Sequence, residues 1–502
     1  MNDPTNPSAA DELLAQLRGQ GVRTVVLAGC DTHGVMRGKR IPIDQMPGVL
    51  AHGMPLCDVF WVMHVDESNL VARPLDHVGY FPTERLGYPD VVAMPDLSTA
   101  RVVPWHENTA LILCDWHHLH GAGPLPIDPR HVLASVVERS RAMGLEPLSA
   151  LELEFYLLRE PRGTNHRKRA DELVPLQEQP STYGVVLGSH QEHIGALIRE
   201  GMLAYGLPIE ACNPETGPGQ FEINLRYGAS LDAADHAFLF KSGVKEVAAQ
   251  NDLLATFMAK PNSSWAGNSC HAHMSLRGLG GEAAFFDEAM PHGISTTMRH
   301  AIGGILATMP ELTALMAPTP NSYRRYTPYS WSGTTATWGI DNRSVGVRAI
   351  CEGPHGTRLE HRQAGGDVNP YLASAVVLAG ALYGITHSIE PPAAMDVDVY
   401  AQPAGSVPAL PRSLDRAVDL LDGSDVAREW FGADFVNHYV VMKRAELEAQ
   451  AARLGDRPVP RGPLTAHEVS RRSQSAAGPT WCAECNCSRS RATEQRCGRC
   501  PP

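Results

Sequence analysis

Residues 150–157 read Ala-Leu-Glu-Leu-Glu-Phe-Tyr-Leu, two carboxylates alternating with large apolar side chains. In an extended chain this period of two puts Glu152 and Glu154 on one face. If the strand lies inside a sheet, burying two like charges is costly unless cations or hydrogen-bond donors compensate them. A solvated edge face accounts for the same alternation. The segment therefore demands either an edge strand or a polar site built on a sheet.

Further segments bear on that choice. Residues 208–225 carry Glu210, Glu215 and Glu222, and Gly217, Pro218 and Gly219 among them predict a tight turn feeding a strand that bears Glu222. Residues 267–276 put His271 and His273 on one face of a strand, an arrangement that alone is more often structural than metal-binding. Residues 356–362 alternate Arg358, Glu360 and Arg362, and Arg324, Arg325, Arg343 and Arg348 precede them. These charges stand singly within apolar sequence, which a solvated face does not explain. Glutamates with one histidine make a hard, oxygen-rich site suited to Mg²⁺ or Mn²⁺. Arginines supply planar donors for phosphate and carboxylate. Together they point to phosphoryl transfer rather than zinc hydrolysis. Neither a Walker A sequence nor a Gly-x-Gly-x-x-Gly is present, which excludes the usual P-loop and Rossmann signatures.

The chain has 502 residues, 43% of them hydrophobic, enough for a large core and more than one domain. Its net charge of −12, from 43 basic and 55 acidic residues, offers no basic field, so no nucleic-acid partner is expected. The polar start lacks the apolar stretch of an export signal, and a cytoplasmic location is expected. The uncharged run 371–385 falls short of the roughly 20 residues of a membrane span and reads as a buried helix, so no membrane is expected either. Short β-branched runs at 24–27, 39–42, 90–96, 101–105 and 110–114 predict a small mixed sheet. Helical spacing is found at 129–143, with Asp128 as N-cap before Pro129, and at about 190–205, 231–250, 294–317, 369–385 and 428–453. The class is α+β. Of 11 cysteines, Cys482, Cys485, Cys487, Cys497 and Cys500 crowd the C-terminal tail. Their two Cys-x-x-Cys pairs are compatible with a zinc knuckle, whereas the surrounding Ser and Arg fit a disordered extension. The other six read as reduced thiols.

In this order, from about residue 20 to about 465, the elements resemble the glutamine synthetase family. The resemblance implies an extension (1–18), an N-terminal β-grasp domain (19–118), a larger catalytic domain with a curved antiparallel sheet flanked by helices (119–468) and a tail (469–502). It also implies ATP-dependent joining of the glutamate γ-carboxylate to an amine through γ-glutamyl phosphate, with two or more Mg²⁺ or Mn²⁺ ions. Glutamate, ATP and a small amine would be its partners, and it would assemble as a homo-oligomer, a dodecamer of two stacked rings. On matching positions, Glu154, Glu215 and Glu222 would bind one metal and Glu152, His271 and Glu360 the other. Glu210, His273, Ser275, Arg343, Arg348 and Arg358 would contact the nucleotide. Gly267, Arg325 and Arg362 would hold glutamate, and Arg343, Glu222 and Arg362 would carry catalysis.

Departures from the family pattern concern the amine. Residues 321–331, Asn-Ser-Tyr-Arg-Arg-Tyr-Thr-Pro-Tyr-Ser-Trp, put Trp331 where ammonia-using members carry a glutamate. An indole supplies no negative charge to a small hydrated cation but can wall a pocket for a larger amine, so Trp331 is a candidate substrate contact. The Asn-Gly-Ser-Gly-Met-His loop of typical members is Ala-Gly-Asn-Ser-Cys-His here, at 266–271. Asp66 is a weak stand-in for the aspartate that binds ammonium. These features look more like the γ-glutamyl-polyamine and γ-glutamyl-ethanolamide synthetases. An ammonium-using glutamine synthetase is the alternative, and a catalytically silent structural relative, which should have lost metal ligands or arginines, is a second. Tyr400 falls near a tyrosine that some bacterial members adenylylate, and its presence alone does not make it a modification site.

Overall fold

The computed structural model describes residues 7–65, 80, 87–161, 168, 170–403, 405–455, 481–482 and 487–488. Asp66, Cys485, Cys497 and Cys500 lie outside the described residues. Residues from Glu448 onward form a separate unit from the main body, Met1–Leu447. Within that unit, two short strands, Trp481–Cys482 and Cys487–Ser488, pair antiparallel.

The N-terminal sheet comprises β1 (Thr24–Cys30), β2 (Met36–Pro42), β3 (Met54–Cys57), β4 (Asp90–Pro95), β5 (Arg101–Val102) and β6 (Thr109–His117). Its order is β2-β1-β6-β4-β3, with β5 also on β6. Strand β1 runs parallel to β6 and the other pairs are antiparallel, giving the mixed sheet expected. Alternation along β6 shows how the sheet is held. Ala110, Ile112, Cys114 and Trp116 pack with Leu14 and Leu17 of the helix Pro7–Gly19 and with Trp61. Leu111 and Leu113 enter the large core of the rest of the body. The strand is thus apolar on both faces and reads as a continuous hydrophobic run.

The larger sheet contains β7 (Leu145–Leu158), β8 (Ile209–Pro214), β9 (Gln220–Leu225), β10 (Gly228–Ala229), β11 (Leu254–Thr256), β12 (Cys270–Gly278), β13 (Trp338–Ile340), β14 (Val347–Ile350) and β15 (Arg358–His361). Its order is β13-β14-β15-β12-β7-β9-β8, with β10 and β11 also on β7. The expected antiparallel sheet is in fact mixed, because β13 and β14 run parallel. The chain leaves β13 through Asp341, whose left-handed backbone (φ 49°) turns it back so that Val347 starts opposite Trp338.

Helices cover the apolar face. Pro129–Ala142 opens as anticipated, with the Asp128 side chain accepting from the Arg130 amide and Pro129 in the first turn. Thr296–Met316 lies against Pro370–His387 at glycine contacts. A Cβ on Gly304 would fall 2.2 Å from the Gly380 carbonyl, so only glycine lets these backbones approach. Pro370–His387 is long and apolar enough to cross a membrane, yet most of it is buried, as suits the core helix expected from the run 371–385. The helix expected at 428–453 is broken at Gly432 (φ 87°) into Asp425–Phe431 and Ala433–Gly455. Leu414–Asp422 was not anticipated. One buried arginine ties the two sheets' halves together: Arg130 pairs with Asp235 (2.9 Å) on its own side and with Asp96 (2.7 Å) and Asp115 (2.6 Å) from the N-terminal sheet.

Candidate active site

The register of the large sheet separates its two faces by chemistry. Leu151, Leu153, Phe155 and Leu157 of β7, Phe221 and Ile223 of β9, and Ala272 and Met274 of β12 enter the core. The alternate residues project from the opposite face. Cross-strand pairing then sets His271 opposite Glu152, Glu222 opposite Glu154, His273 opposite Glu360 and Arg348 opposite Glu360. The two carboxylates of β7 therefore lie on a central strand, and the solvated-edge reading does not hold.

Glu152, His271 and Glu360 have donor atoms all within 4.8 Å of one another. His271 Nδ1 is 2.8 Å from Glu152 Oε1 and 3.5 Å from Glu360 Oε1, and His273 Nε2 is 3.5 Å from Glu152 Oε2. Glu360 also accepts from Arg348 Nη1 (3.0 Å) and from Arg362 Nη1. Burial opposes ionisation of Glu360, but His271 and Arg362 outweigh it and hold the carboxyl down at about 2. Glu152 is likewise held well below its ordinary value, against burial, by its contacts with His271 and His273. Burial, then Arg362, lowers His271, which favours the neutral ring whose lone pair a metal ion needs.

Beside this group three carboxylates crowd together with little counter-charge. Burial and Glu215 raise Glu154 to about 7, and burial with Glu152 and Glu154 raises Glu222 to about 9. Glu215, raised chiefly by burial, is held by Asn213 and Thr216. Glu154 Oε2 accepts from the Ser269 amide (2.7 Å) and from Gln220 Nε2 (3.2 Å). Among the described residues, Glu154, Glu215 and Glu222 do not close into a group as compact as the first set. The residues present nevertheless fit divalent cations: hard oxygen donors with one imidazole, His271 Nε2 buried without a partner, and carboxylates that favour protonation when no cation is near.

A cavity of about 470 Å³ opens beside the first group, lined by Glu152 of that group and by His273. Glu210, Ser275 and Arg358 line it as well, while Tyr227 and Pro354 give it apolar walls. Arg343 and Arg348 do not line it. Arg348 is engaged by Asp341 and Glu360, and Arg343 is exposed with no ion pair among the described residues. On the other side, Arg325 is buried, donating to Ser269 Oγ (3.2 Å) and to the Gln363 carbonyl, and its Nε has no partner. Arg362 is buried too, with Nη2 reaching the Trp331 carbonyl at 3.4 Å. Gly267 lies against Arg325, where a Cβ would meet the Arg325 Cγ at 2.4 Å. Trp331 itself is exposed, as is Glu210.

Residues 126–458 match the family described as "Glutamine synthetase, catalytic domain". The chain belongs to the glutamine synthetase family. A glutamate–isopropylamine ligase of Pseudomonas sp is 35% identical over 428 residues, 85% of this chain and 92% of the relative. A type-1 glutamine synthetase of Dictyostelium discoideum is 35% identical, covering 88% and 83% of the two chains. A γ-glutamylethanolamide synthetase of Streptomyces coelicolor is 34% identical, covering 90% and 95%. A solved GmaS/ADP complex superposes with a TM-score of 0.76 at 28% identity, covering 92% of this chain and 99% of that one. As a glutamine synthetase-family protein the chain is an ATP-dependent ligase, and the family uses glutamate, an amine and divalent metal.

Sequence reasoning missed several residues of this glutamine synthetase-type site. Gln220 shares the polar face with Glu222 by the same period of two, and that signal was available. Its amide donates to Glu154, to the Gly267 carbonyl (2.9 Å) and to Asn268 Oδ1 (2.9 Å), tying three segments together. Asn268 spends its own amide on the Thr256 and Met258 carbonyls, so it braces the loop from within. Asp341 fixes Arg348, and only the left-handed turn at Asp341 brings them together.

Proposed function

We propose that this ligase is a γ-glutamylamide synthetase acting on an organic amine. The observation that carries the choice is Trp331, an exposed indole whose carbonyl receives Arg362 at the edge of the carboxylate and arginine cluster, where ammonium would call for a carboxylate. The names of the isopropylamine and ethanolamide relatives support the same reading.

In this reading ATP occupies the cavity lined by Glu210, His273, Ser275 and Arg358, and glutamate lies toward Gly267, Arg325 and Arg362. Glu152, His271 and Glu360 would hold one divalent ion, Mg²⁺ or Mn²⁺, and Glu154, Glu215 and Glu222 a second, which when bound neutralise phosphate charge. A γ-carboxylate oxygen of glutamate attacks the γ-phosphorus of ATP, and the bond to the ADP oxygen breaks. Arg343 and Arg348 balance the charge of the moving phosphoryl group. The free amine then attacks the acyl carbon, the bond to phosphate breaks, and the proton of the amine passes to a basic group or to the leaving phosphate. An N-terminal β-grasp domain over 19–118, a catalytic domain over 119–468, dodecameric assembly and a cytoplasmic location belong to the same reading.

The test is glutamate-dependent phosphate release from ATP with Mg²⁺ against ammonium, methylamine, isopropylamine, ethanolamine, putrescine, spermidine and aniline, recording the product mass each time. Turnover with an organic amine well above that with ammonium supports the proposal. Preference for ammonium returns the protein to glutamine synthesis.

A further inference from the structure

A second cavity, of about 540 Å³, lies between the N-terminal sheet and the helix Ser230–Gln250. It shares no lining residue with the cavity that holds Glu210 and Arg358. One wall is the face of β1 and β2 on which Val26 stands opposite Arg40 and Ala28 opposite Gly38. The helix forms another wall and presents Lys241 and Lys245, one turn apart. Both ammoniums stand 5.7 Å from the centre of the Phe257 ring.

Like charges at this spacing on a helix repel each other, and a buried ammonium is costly without a partner of opposite charge. Lys241 is buried, and its hydrogen bond goes to the neutral Val368 carbonyl (2.6 Å). Burial, then Lys245, brings its ammonium down to about 8, against a weaker pull from Asp367. Lys245 and Arg40 are exposed, and neither forms an ion pair among the described residues.

The other charged groups that line the cavity are already engaged. Glu246 accepts from Trp105 Nε1 (2.5 Å) and lies 3.2 Å from His106 Nε2. Asp367 Oδ2 accepts from the hydroxyls of Thr319 (2.9 Å) and Ser322 (2.7 Å). His33 is turned to Glu446 (3.3 Å), and Lys39 to the Pro55 carbonyl (2.6 Å). The groups left without an ion pair on the sheet and helix walls, Arg40, Lys241 and Lys245, are all positive. Ammonium and guanidinium groups are the usual donors to carboxylate and phosphate oxygens. Val26, Val35, Met36 and Trp105, each only partly buried, give the same cavity apolar area against which a short carbon chain can pack.

We propose that this cavity is a binding site for a compact dianion, held by Lys241 and Lys245 from the helix and by Arg40 from β2, and separate from the site of ligation. The ligand carries its charge as two carboxylates or as one phosphate.

The test is isothermal titration calorimetry of the full-length protein, free of metal and nucleotide, with succinate, glutarate and inorganic phosphate at pH 8 in buffers of two ionisation enthalpies. At least one of the three should bind, and the tighter arm tells a carboxylate pair from a phosphate. Lys245→Gln and Arg40→Gln should each weaken that binding about tenfold and unfold as the wild type does, because both side chains are exposed. An anion beside Lys241 restores its charge, so binding at pH 8 should take up about half a proton, and Lys241→Met should abolish the uptake. Arg325→Ala, on the glutamate side of the reaction site, should leave the affinity within about twofold. Absence of binding by all three anions, or an affinity unmoved in both glutamine variants, overturns the inference. So does binding without proton uptake, which puts the anion away from Lys241, and so does binding lost in Arg325→Ala, which puts it in the glutamate site.

Discussion

Gly267→Ala adds a single methyl group at the point where the glutamate side of the site is most tightly packed. An ideal Cβ there would lie 2.4 Å from Arg325 Cγ, 2.7 Å from Arg325 Cδ and 3.0 Å from the Ala259 carbonyl. The backbone carbonyl cannot yield, so the arginine must. Arg325 is buried and held by Ser269 Oγ and the Gln363 carbonyl, and moving it weakens at least one of these bonds. Overpacking costs about 1–3 kcal/mol and a charged hydrogen bond contributes about 1.5–3 kcal/mol, so a loss of about 2–4 kcal/mol of stability is expected. If Arg325 also receives a carboxylate of glutamate, its displacement should lower kcat/KM for glutamate about a hundredfold, close to 2.7 kcal/mol, through a rise in KM. Two measurements check this: denaturant unfolding, and initial rates over a glutamate series at saturating ATP and amine. Arg325→Ala serves as comparison and should show the same kinetic loss without the steric term. A Gly267→Ala protein with wild-type stability and kcat/KM within twofold would refute both the packing argument and the role given to Arg325.

Arg343→Ala should abolish turnover while leaving thermal unfolding within about 0.5 kcal/mol of wild type, because the side chain is exposed and without an ion pair among the described residues. Mg²⁺ added to metal-free protein should raise the unfolding temperature, and at pH 8 should release about one proton per site, since Glu222 near 9 is then mostly protonated and Glu154 near 7 mostly ionised; calorimetry in buffers of different ionisation enthalpy reads the number. His438, buried between Thr32 and Trp61, is pushed down to about 3 by burial and then by His33. Its folded value lies below its unfolded one, so its stabilisation is present above pH 6.5 and is lost as the pH falls. Between pH 7 and pH 5 this amounts to about 2 kcal/mol, and urea unfolding of His438→Gln at the two values should show a pH dependence smaller by that amount.

The polar face of the large sheet was legible because it rests on local alternation. Once β7 is central, Glu152 and Glu154 can only share a face, and His271, Glu222 and Glu360 join them by pairing. Helix starts such as Asp128–Pro129 were equally plain, since capping is decided within a few residues. What escaped depended on distant contacts or single dihedral angles. The parallel β13–β14 pair follows from the backbone of Asp341, and the break in the last long helix from Gly432. The Arg130 joint draws its partners Asp96, Asp115 and Asp235 from well-separated segments, and no local pattern announces it. Gln220 had the right periodicity, but its value lies in bridging Glu154 to the loop at 267–268.

The alternation along β7, β9 and β12 also bears on how this protein can fail. A one-residue slip in any of these strands would carry glutamates or histidines into the apolar core and leave leucines and phenylalanines facing the site. The strand pairing that builds the hydrophobic interior is the same pairing that assembles the reactive groups. A chain with that pairing wrong would be unstable as well as inactive, so a compact but mis-registered species has little chance to accumulate. Changes in substrate preference are therefore open mainly to the connecting segments, such as 179–189 and 326–337, which can vary without moving the sheet.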